Sequence, residues 1–207
     1  MKNYKNIVFD VGQVLMGYRW QDMLIKDHGM EEEKAIKLGR TLFDDKLWLE
    51  FDRGVMSYWD IVNEFKIKYK DMEDDIQWFF ENARLMRQPR EDVWKMVGKL
   101  KAKGYMIYVL SNYSKELLDL HTKDASFWQY VDGKMVSYMV HELKPEATIY
   151  KALYEKYNID PKESLFLDDR EENVKGGINT GMDGIVIKSK EHLLTLLDEL
   201  VKMDVLK

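Results

Sequence analysis

Two short apolar runs in this chain end in carboxylates. Ile7-Val8-Phe9 delivers Asp10, and Leu165-Phe166-Leu167 delivers Asp168-Asp169. Runs of this kind fit neighbouring strands of an open parallel sheet, whose ligands bind just beyond the strands' carboxyl ends. Three acids at such a crevice repel one another unless a cation or a proton joins them. The pattern therefore asks for a hard divalent cation and an anionic substrate. Asp10, with an ordinary pKa near ~3.9, is ionised at neutral pH and can attack phosphorus to form an aspartyl-phosphate. Magnesium takes one or two carboxylates plus other oxygens, and Asp10, Asp169 and a backbone carbonyl near Gly12 could supply them.

Each residue also has a plainer role. Strand-end aspartates often serve turns, and acids suit a helix start such as one near Arg170-Glu171-Glu172. Capping needs one aspartate, so the doubled pair favours metal. Ser111-Asn112 closes another apolar run, and a hydroxyl with backbone N–H groups at a helix start can hold an anion. Lys144 lies just before Pro145, in a loop where a cation could neutralise phosphate charge. The four histidines (His28, His121, His141, His192) show no metal-ligand spacing and are taken as structural or surface groups.

The elements that must position these residues alternate. Lys5 to Val11 reads as a strand. Glu91 to Lys103 reads as a helix, with Val93, Met96, Val97 and Leu100 on one stripe and Gly104 as its stop. A strand from Tyr105 to Leu110 follows, then a helix from Pro145 with Tyr150, Leu153, Tyr154 and Tyr157 on one face. Ser164 to Leu167 and Gly184 to Ile187 are further strands, and Leu193, Leu196, Leu197 and Leu200 mark a last helix. Such alternation implies an α/β fold with a mostly parallel sheet and helices on both faces. Between Asp10 and Ser111 the chain far exceeds the roughly 30 residues of a strand–helix–strand unit. The surplus, 16–86, reads as an inserted helical bundle, leaving 1–15 and 87–207 as the core. Within it Leu47, Trp48 and Phe51 share a face, Asp52-Arg53-Gly54 reads as a turn, and Ser57 N-caps a helix reaching Tyr69. Asp74 to Arg87 reads as another helix. The aromatic residues here (Trp48, Phe51, Trp59, Phe65, Trp78, Phe79, Phe80) are assigned to packing.

A net charge of −5 and a pI near 5.5 give no global attraction to nucleic acid or an anionic membrane. The absence of cysteine excludes disulfides, thiolate metal sites and a cysteine nucleophile, and suits a reducing compartment. No apolar run approaches the roughly 20 residues of a membrane span, and no secretory signal is visible, so a cytoplasmic location is expected. Nothing in the sequence speaks to oligomeric state.

Taken in order, four segments resemble the motifs of the haloacid dehalogenase-like hydrolases: Phe9-Asp10-Val11-Gly12-Gln13-Val14-Leu15, Leu110-Ser111-Asn112, Lys144-Pro145-Glu146 and Leu167-Asp168-Asp169-Arg170-Glu171-Glu172-Asn173. The likeness is greatest to the subgroup with glycine in place of the usual second aspartate, which includes glucose-1-phosphate phosphatase-like proteins. It implies a Rossmann-like core, a helical cap over the site and magnesium-dependent phosphate hydrolysis of a small phosphorylated metabolite, a sugar phosphate being one candidate. By that resemblance Asp10 is nucleophile and ligand, Ser111, Asn112 and Lys144 bind the phosphoryl group, Asp169 ligates magnesium with Asp168 assisting, and Asn173 supports the last motif's loop.

Gly12 departs from the family's usual pattern, since it has no proton to give the leaving oxygen and Gln13 does not titrate. A positioned acid–base group is worth ~10²–10⁴ in rate. Water, a cap residue or an acidic leaving group could make up the loss, and an anomeric or acyl phosphate is the expected substrate. Arg19, Trp20, Trp48 and Glu50 are candidates for the cap entrance. Two rivals stand beside this reading: a metal-independent 2-haloacid dehalogenase, which does not require the acid pair, and a catalytically silent binding protein. A phosphomutase would need the proton shuttle that Gly12 lacks.

Overall fold

The computed structural model describes residues 2–206. Its strands are β1 (Asn6–Phe9), β2 (Met16–Tyr18), β3 (Arg87–Pro89), β4 (Met106–Ser111), β5 (Gly133–Val136), β6 (Ser164–Asp168) and β7 (Asp183–Val186). Five of them form one parallel sheet in the order β5-β4-β1-β6-β7. β1 and β6 are buried along their whole length, which is why both read as unbroken apolar runs and not as alternating ones. The helices are α1 (Trp20–Asp22), α2 (Glu32–Phe43), α3 (Lys46–Arg53), α4 (Tyr58–Lys68), α5 (Glu73–Glu81), α6 (Glu91–Lys103), α7 (Lys115–Thr122), α8 (Ala147–Tyr157), α9 (Glu171–Asn179) and α10 (Lys190–Lys202).

Side chains alternate across β1 and sort the core into two layers. Ile7 and Phe9 pack with the α6 and α10 stripes (Val97, Leu100, Leu193, Leu197). Val8 faces the other way, onto Tyr108, Phe166 and the α8 residues Ile149, Tyr150 and Leu153. The result is the expected α/β architecture with helices on both faces. Gly104 ends α6 in the left-handed conformation, as its spacing predicts.

The segment between β2 and β3 is mostly helical. β2 and β3 pair antiparallel, Gly17 opposite Gln88, so entry and exit form one two-stranded ribbon. Phe51, Phe65, Phe79 and Phe80 are buried in this segment, with Phe51 and Phe80 edge-on at 6.1 Å. Ser57 caps α4 as predicted. The expected turn at Asp52-Arg53-Gly54 is a correction: Asp52 and Arg53 complete α3, and Gly54 alone turns, at φ +69°. The helix expected to reach Arg87 ends at Glu81, and a 3-10 turn leads into β3. Edge strand β5 and helices α2 and α7 had no counterpart in the sequence reading. β5 is short, begins Gly133-Lys134, and is only half buried there, so it lacks the apolar run that marks an inner strand; an edge lysine is a common guard against mispairing.

Candidate active site

Register alone brings the two acid-bearing strands together. β1 pairs with β4 on one side and β6 on the other, with Phe9 level with both Val109 and Leu167. Asp10 and Asp168 are therefore level on adjacent strands, and Asp10 N–H still donates to Leu167 O at 2.9 Å. The chain adds β4 and β5 on one side of β1 and then crosses to place β6 on the other. The carboxylates thus sit where the strand order reverses, the position at which open α/β sheets bind ligands. Asp10, Asp168 and Asp169 each present an oxygen within 4.8 Å of the others.

Ser111, at the end of β4, donates its hydroxyl to Asp10 Oδ1 at 2.6 Å. Lys144 is buried at the same point. Its ammonium reaches Asp10 Oδ1 at 2.9 Å, Asp168 Oδ2 at 2.6 Å and Leu110 O at 2.9 Å, engaging all three donors. Asn112 fixes the lysine: its Oδ1 accepts from Lys144 N at 2.8 Å and its Nδ2 donates to Lys144 O at 2.9 Å. The Asn112 side chain, expected at the phosphate, is thus occupied in placing Lys144. Asp168 accepts from Lys144, Asn173 Nδ2 and Arg170 N–H, whereas Asp169 is less enclosed and lines the cavity.

The loop after Asp10 is fastened from α6. Arg90 donates to Gln13 O at 2.5 Å and to Gln13 Oε1 at 3.1 Å, and Trp94 Nε1 donates to Leu15 O at 2.6 Å. Tyr18 lies against Gly12, so closely that a Cβ added there would be 3.3 Å from Tyr18 Cε2. Tyr18 donates to the Tyr113 hydroxyl at 2.6 Å, and Tyr113 bonds His121 Nδ1 at 2.6 Å. Ala83 O can only accept from His121 Nε2, which therefore carries the proton and leaves Nδ1 as acceptor. Burial lowers the His121 pKa to about 4, so the ring is neutral at pH 7.

These residues open into a cavity of about 350 Å³, in the size range of small-molecule sites. Its floor is Asp10, Gly12, Lys144 and Asp169. The rest of the lining mixes apolar side chains (Trp20, Phe43, Trp48, Leu49, Met86 and Leu117) with polar ones (Gln13, Asp52, Asn112, Arg170 and Asn173). Of the residues expected at the entrance, Trp20 and Trp48 line the cavity. Arg19 instead pairs with Asp27 and Glu50 with Arg53. Sequence reasoning missed Tyr18 and Asp52, which also line it. The one visible signal was Asp52's place in a predicted turn directly after the Leu47, Trp48 and Phe51 face.

The floor holds three carboxylates against one ammonium. Burial pushes the Asp10 pKa up to about 6 despite Lys144, and Asp168 adds to the push. Burial and then the charges of Asp10 and Asp168 raise Asp169 to about 7. For Lys144 burial acts downward, but the two carboxylates outweigh it and hold the ammonium above its ordinary value. An all-oxygen, anion-rich floor of this kind fits a hard divalent cation.

The fold and floor define a hydrolase of the haloacid dehalogenase type, and comparison with known proteins agrees. The chain belongs to the haloacid dehalogenase-like hydrolases, whose family model matches residues 4–181. It is 22% identical over 186 residues to a sesquiterpene phosphatase of Aspergillus oryzae, covering 88% of this chain and 89% of that one. It is 25% identical over 203 residues to a D-ribitol-5-phosphate phosphatase of Bacteroides thetaiotaomicron, covering 86% and 89%. A family enzyme from the same bacterium, solved with magnesium and inorganic phosphate, superposes with a TM-score of 0.72 at 23% identity, covering 90% and 96% of the two chains.

Proposed function

We propose that this enzyme is a magnesium-dependent phosphatase that cleaves a small phosphate monoester through an aspartyl-phosphate on Asp10. The observation that carries the reading is the floor: one carboxylate oxygen held by Ser111 and Lys144, with further carboxylates within 4.8 Å. Residues 16–86 act as a cap over a core of 1–15 and 87–207. Asp10, Asp169 and the Gly12 carbonyl would hold magnesium, with Asp168 positioning Lys144 beside them. When bound, the ion would neutralise charge on the phosphoryl group.

The protein's own groups set up the attack. Ser111 and Lys144 both bind Asp10 Oδ1 and so fix the carboxylate's rotation, leaving Oδ2 on the Gly12 side. Lys144 and the backbone N–H groups after Ser111 offer positive charge to the phosphate oxygens. The acid pair supports this reading over a metal-independent dehalogenase. The intact set of Asp10, Ser111, Lys144 and Asp169 supports it over a silent binder.

The cavity wall bears on the organic half of the substrate. A sugar presents hydroxyls that need polar partners, whereas Trp20, Phe43, Trp48, Leu49, Met86 and Leu117 give this cavity a large apolar share. It favours a phosphate ester with an apolar or aromatic organic group over the sugar phosphate that is one candidate from the sequence. Phosphate release from prenyl, aryl and sugar phosphates, with and without magnesium, tests both points. Magnesium-dependent release that is lost in Asp10→Asn is expected, with the apolar esters leading. Release that survives the substitution, or chloride release from a 2-haloacid without metal, would sink the reading.

A further inference from the structure

An Asp10 attack on phosphorus leaves two protons to move, whatever the substrate. An alkyl oxygen expelled without a proton is a strongly basic alkoxide, and the water that later cleaves the aspartyl-phosphate must lose a proton. Position 12 cannot supply the group. Besides being glycine, it lies against the Tyr18 ring, which a Cβ there would approach to 3.3 Å.

The other groups at the cavity are engaged. Asp10 bonds to phosphorus in the proposed reaction, and Asp169 belongs to the three-carboxylate cluster. Lys144 has all three donors in use. Tyr18 gives its hydroxyl proton to Tyr113, which gives its own to His121. Among the acids lining the cavity, that leaves Asp52.

Asp52 comes from α3, within the inserted segment, and lines the same cavity as Asp10, Lys144 and Asp169. It is not a member of the cluster whose oxygens lie within 4.8 Å of one another, so it stands apart from the cation-holding group. Its backbone is pinned to the core: Asp52 O accepts from Ser137 Oγ. The next residue, Arg53, donates to His141 O at 3.0 Å and pairs with Glu146 at 2.6 Å. Asp52 also lies in the last turn of α3, where the unpaired carbonyls disfavour a negative charge.

Resting on the phosphatase reading, we infer that Asp52 is the general acid and base of this enzyme, supplied by the cap in place of a side chain at position 12. In the first step an Asp10 oxygen bonds to phosphorus, the bond from phosphorus to the leaving oxygen breaks, and that oxygen takes the Asp52 proton. In the second step Asp52 carboxylate takes a proton from water as the water oxygen bonds to phosphorus and the Asp10–phosphorus bond breaks. Inorganic phosphate leaves, and both aspartates return to their starting states.

The electrostatics agree. Burial raises the Asp52 pKa to about 7, with Asp10 pushing the same way and the Ser114 N–H, Lys144 and Arg170 opposing. Tyr18 and Tyr113 also face this carboxyl and stay protonated, their values raised chiefly by burial. Arg53, its neighbour on α3, is turned toward Glu146 and Glu50. An acid near 7 can both give and take a proton at neutral pH. With it in place, the substrate needs no acidic leaving group.

The test compares wild type, Asp52→Asn and Asp52→Glu on p-nitrophenyl phosphate and on a simple alkyl phosphate, all with magnesium. Nitrophenolate leaves without a proton. Asp52→Asn should therefore form the phospho-enzyme from the aryl ester at nearly wild-type speed, giving a nitrophenolate burst and one added phosphoryl group by intact mass. Turnover of the alkyl ester should fall ~10²–10⁴-fold, and the limb of the kcat–pH profile near 7 should vanish. Asp52→Glu, which keeps a carboxyl, should recover part of the alkyl turnover and the limb. Equal losses on both esters with no burst in either variant, or wild-type rates in Asp52→Asn, would overturn the assignment while leaving the phosphatase reading intact. Wild-type protein that releases phosphate from neither ester would overturn both.

Discussion

Lys144 is the residue on which the site's electrostatics turn. Its buried ammonium joins carboxylates delivered by two strands, Asp10 after β1 and Asp168 at the end of β6, and caps the β4 carbonyl of Leu110. Removing one member of a buried ion cluster strands the others, which costs ~3–5 kcal/mol. Lys144→Ala is therefore expected to lower the unfolding free energy by that order, read from denaturant midpoints, besides abolishing activity. Loss of activity at unchanged stability would mean that the lysine's bonds to Asp10 and Asp168 contribute little to the fold. Lys144 was legible in the sequence because it stands in an ordered series with Asp10, Ser111 and the Asp168-Asp169 pair. Asp52, Tyr18 and His121 were not. Their types are ordinary, and their meeting depends on how β2, α3 and α7 converge in space. The Gly12–Tyr18 contact links residues of one loop and ribbon, yet nothing in their spacing says that the ring folds back over the glycine.

At the scale of elements, the sheet was readable and the insertion was readable only in outline. Buried parallel strands print continuous apolar runs, so β1, β4 and β6 stood out. β5, half-exposed at an edge, and the paired crossings β2 and β3, each three residues long, carry too few residues for any periodicity. The end of α3 matters most, because it sets where Asp52 stands. Gly54 terminates the helix at φ +69°, and a Cβ there would also lie 2.7 Å from Tyr138 Cβ. A left-handed backbone costs a non-glycine residue roughly 1–2 kcal/mol, and the contact with Tyr138 adds to it. Gly54→Ala should therefore lift the α3 end from the core. The expected signs are faster amide exchange across residues 46–54 and a kcat loss on alkyl esters larger than the loss on p-nitrophenyl phosphate. Unchanged exchange with unchanged kinetics would show that the α3 end is not what holds Asp52 in place.

Over the whole molecule the charge balance is negative, −5 with a pI near 5.5, and the cavity concentrates that sign. Asp10, at about 6, and Asp52 and Asp169, each at about 7, all lie above the ordinary carboxyl value of 3.8. An acid with a raised folded-state value binds its proton more tightly when folded. Its contribution to stability is complete below about 3.8 and is lost as pH rises through 6 to 7. Metal-free protein should thus melt at a higher temperature at pH 5 than at pH 8. A divalent cation competes with those protons and binds the ionised form. Magnesium should accordingly raise Tm more at pH 8 than at pH 5, and its binding near pH 6.5 should release protons, measurable by calorimetry in buffers of different ionisation enthalpy. Asp169→Asn should flatten both the pH slope and the magnesium shift, since it removes a repelling carboxylate and a ligand together. A magnesium shift of equal size at the two pH values, or one that persists in Asp169→Asn, would place the cation somewhere other than this floor.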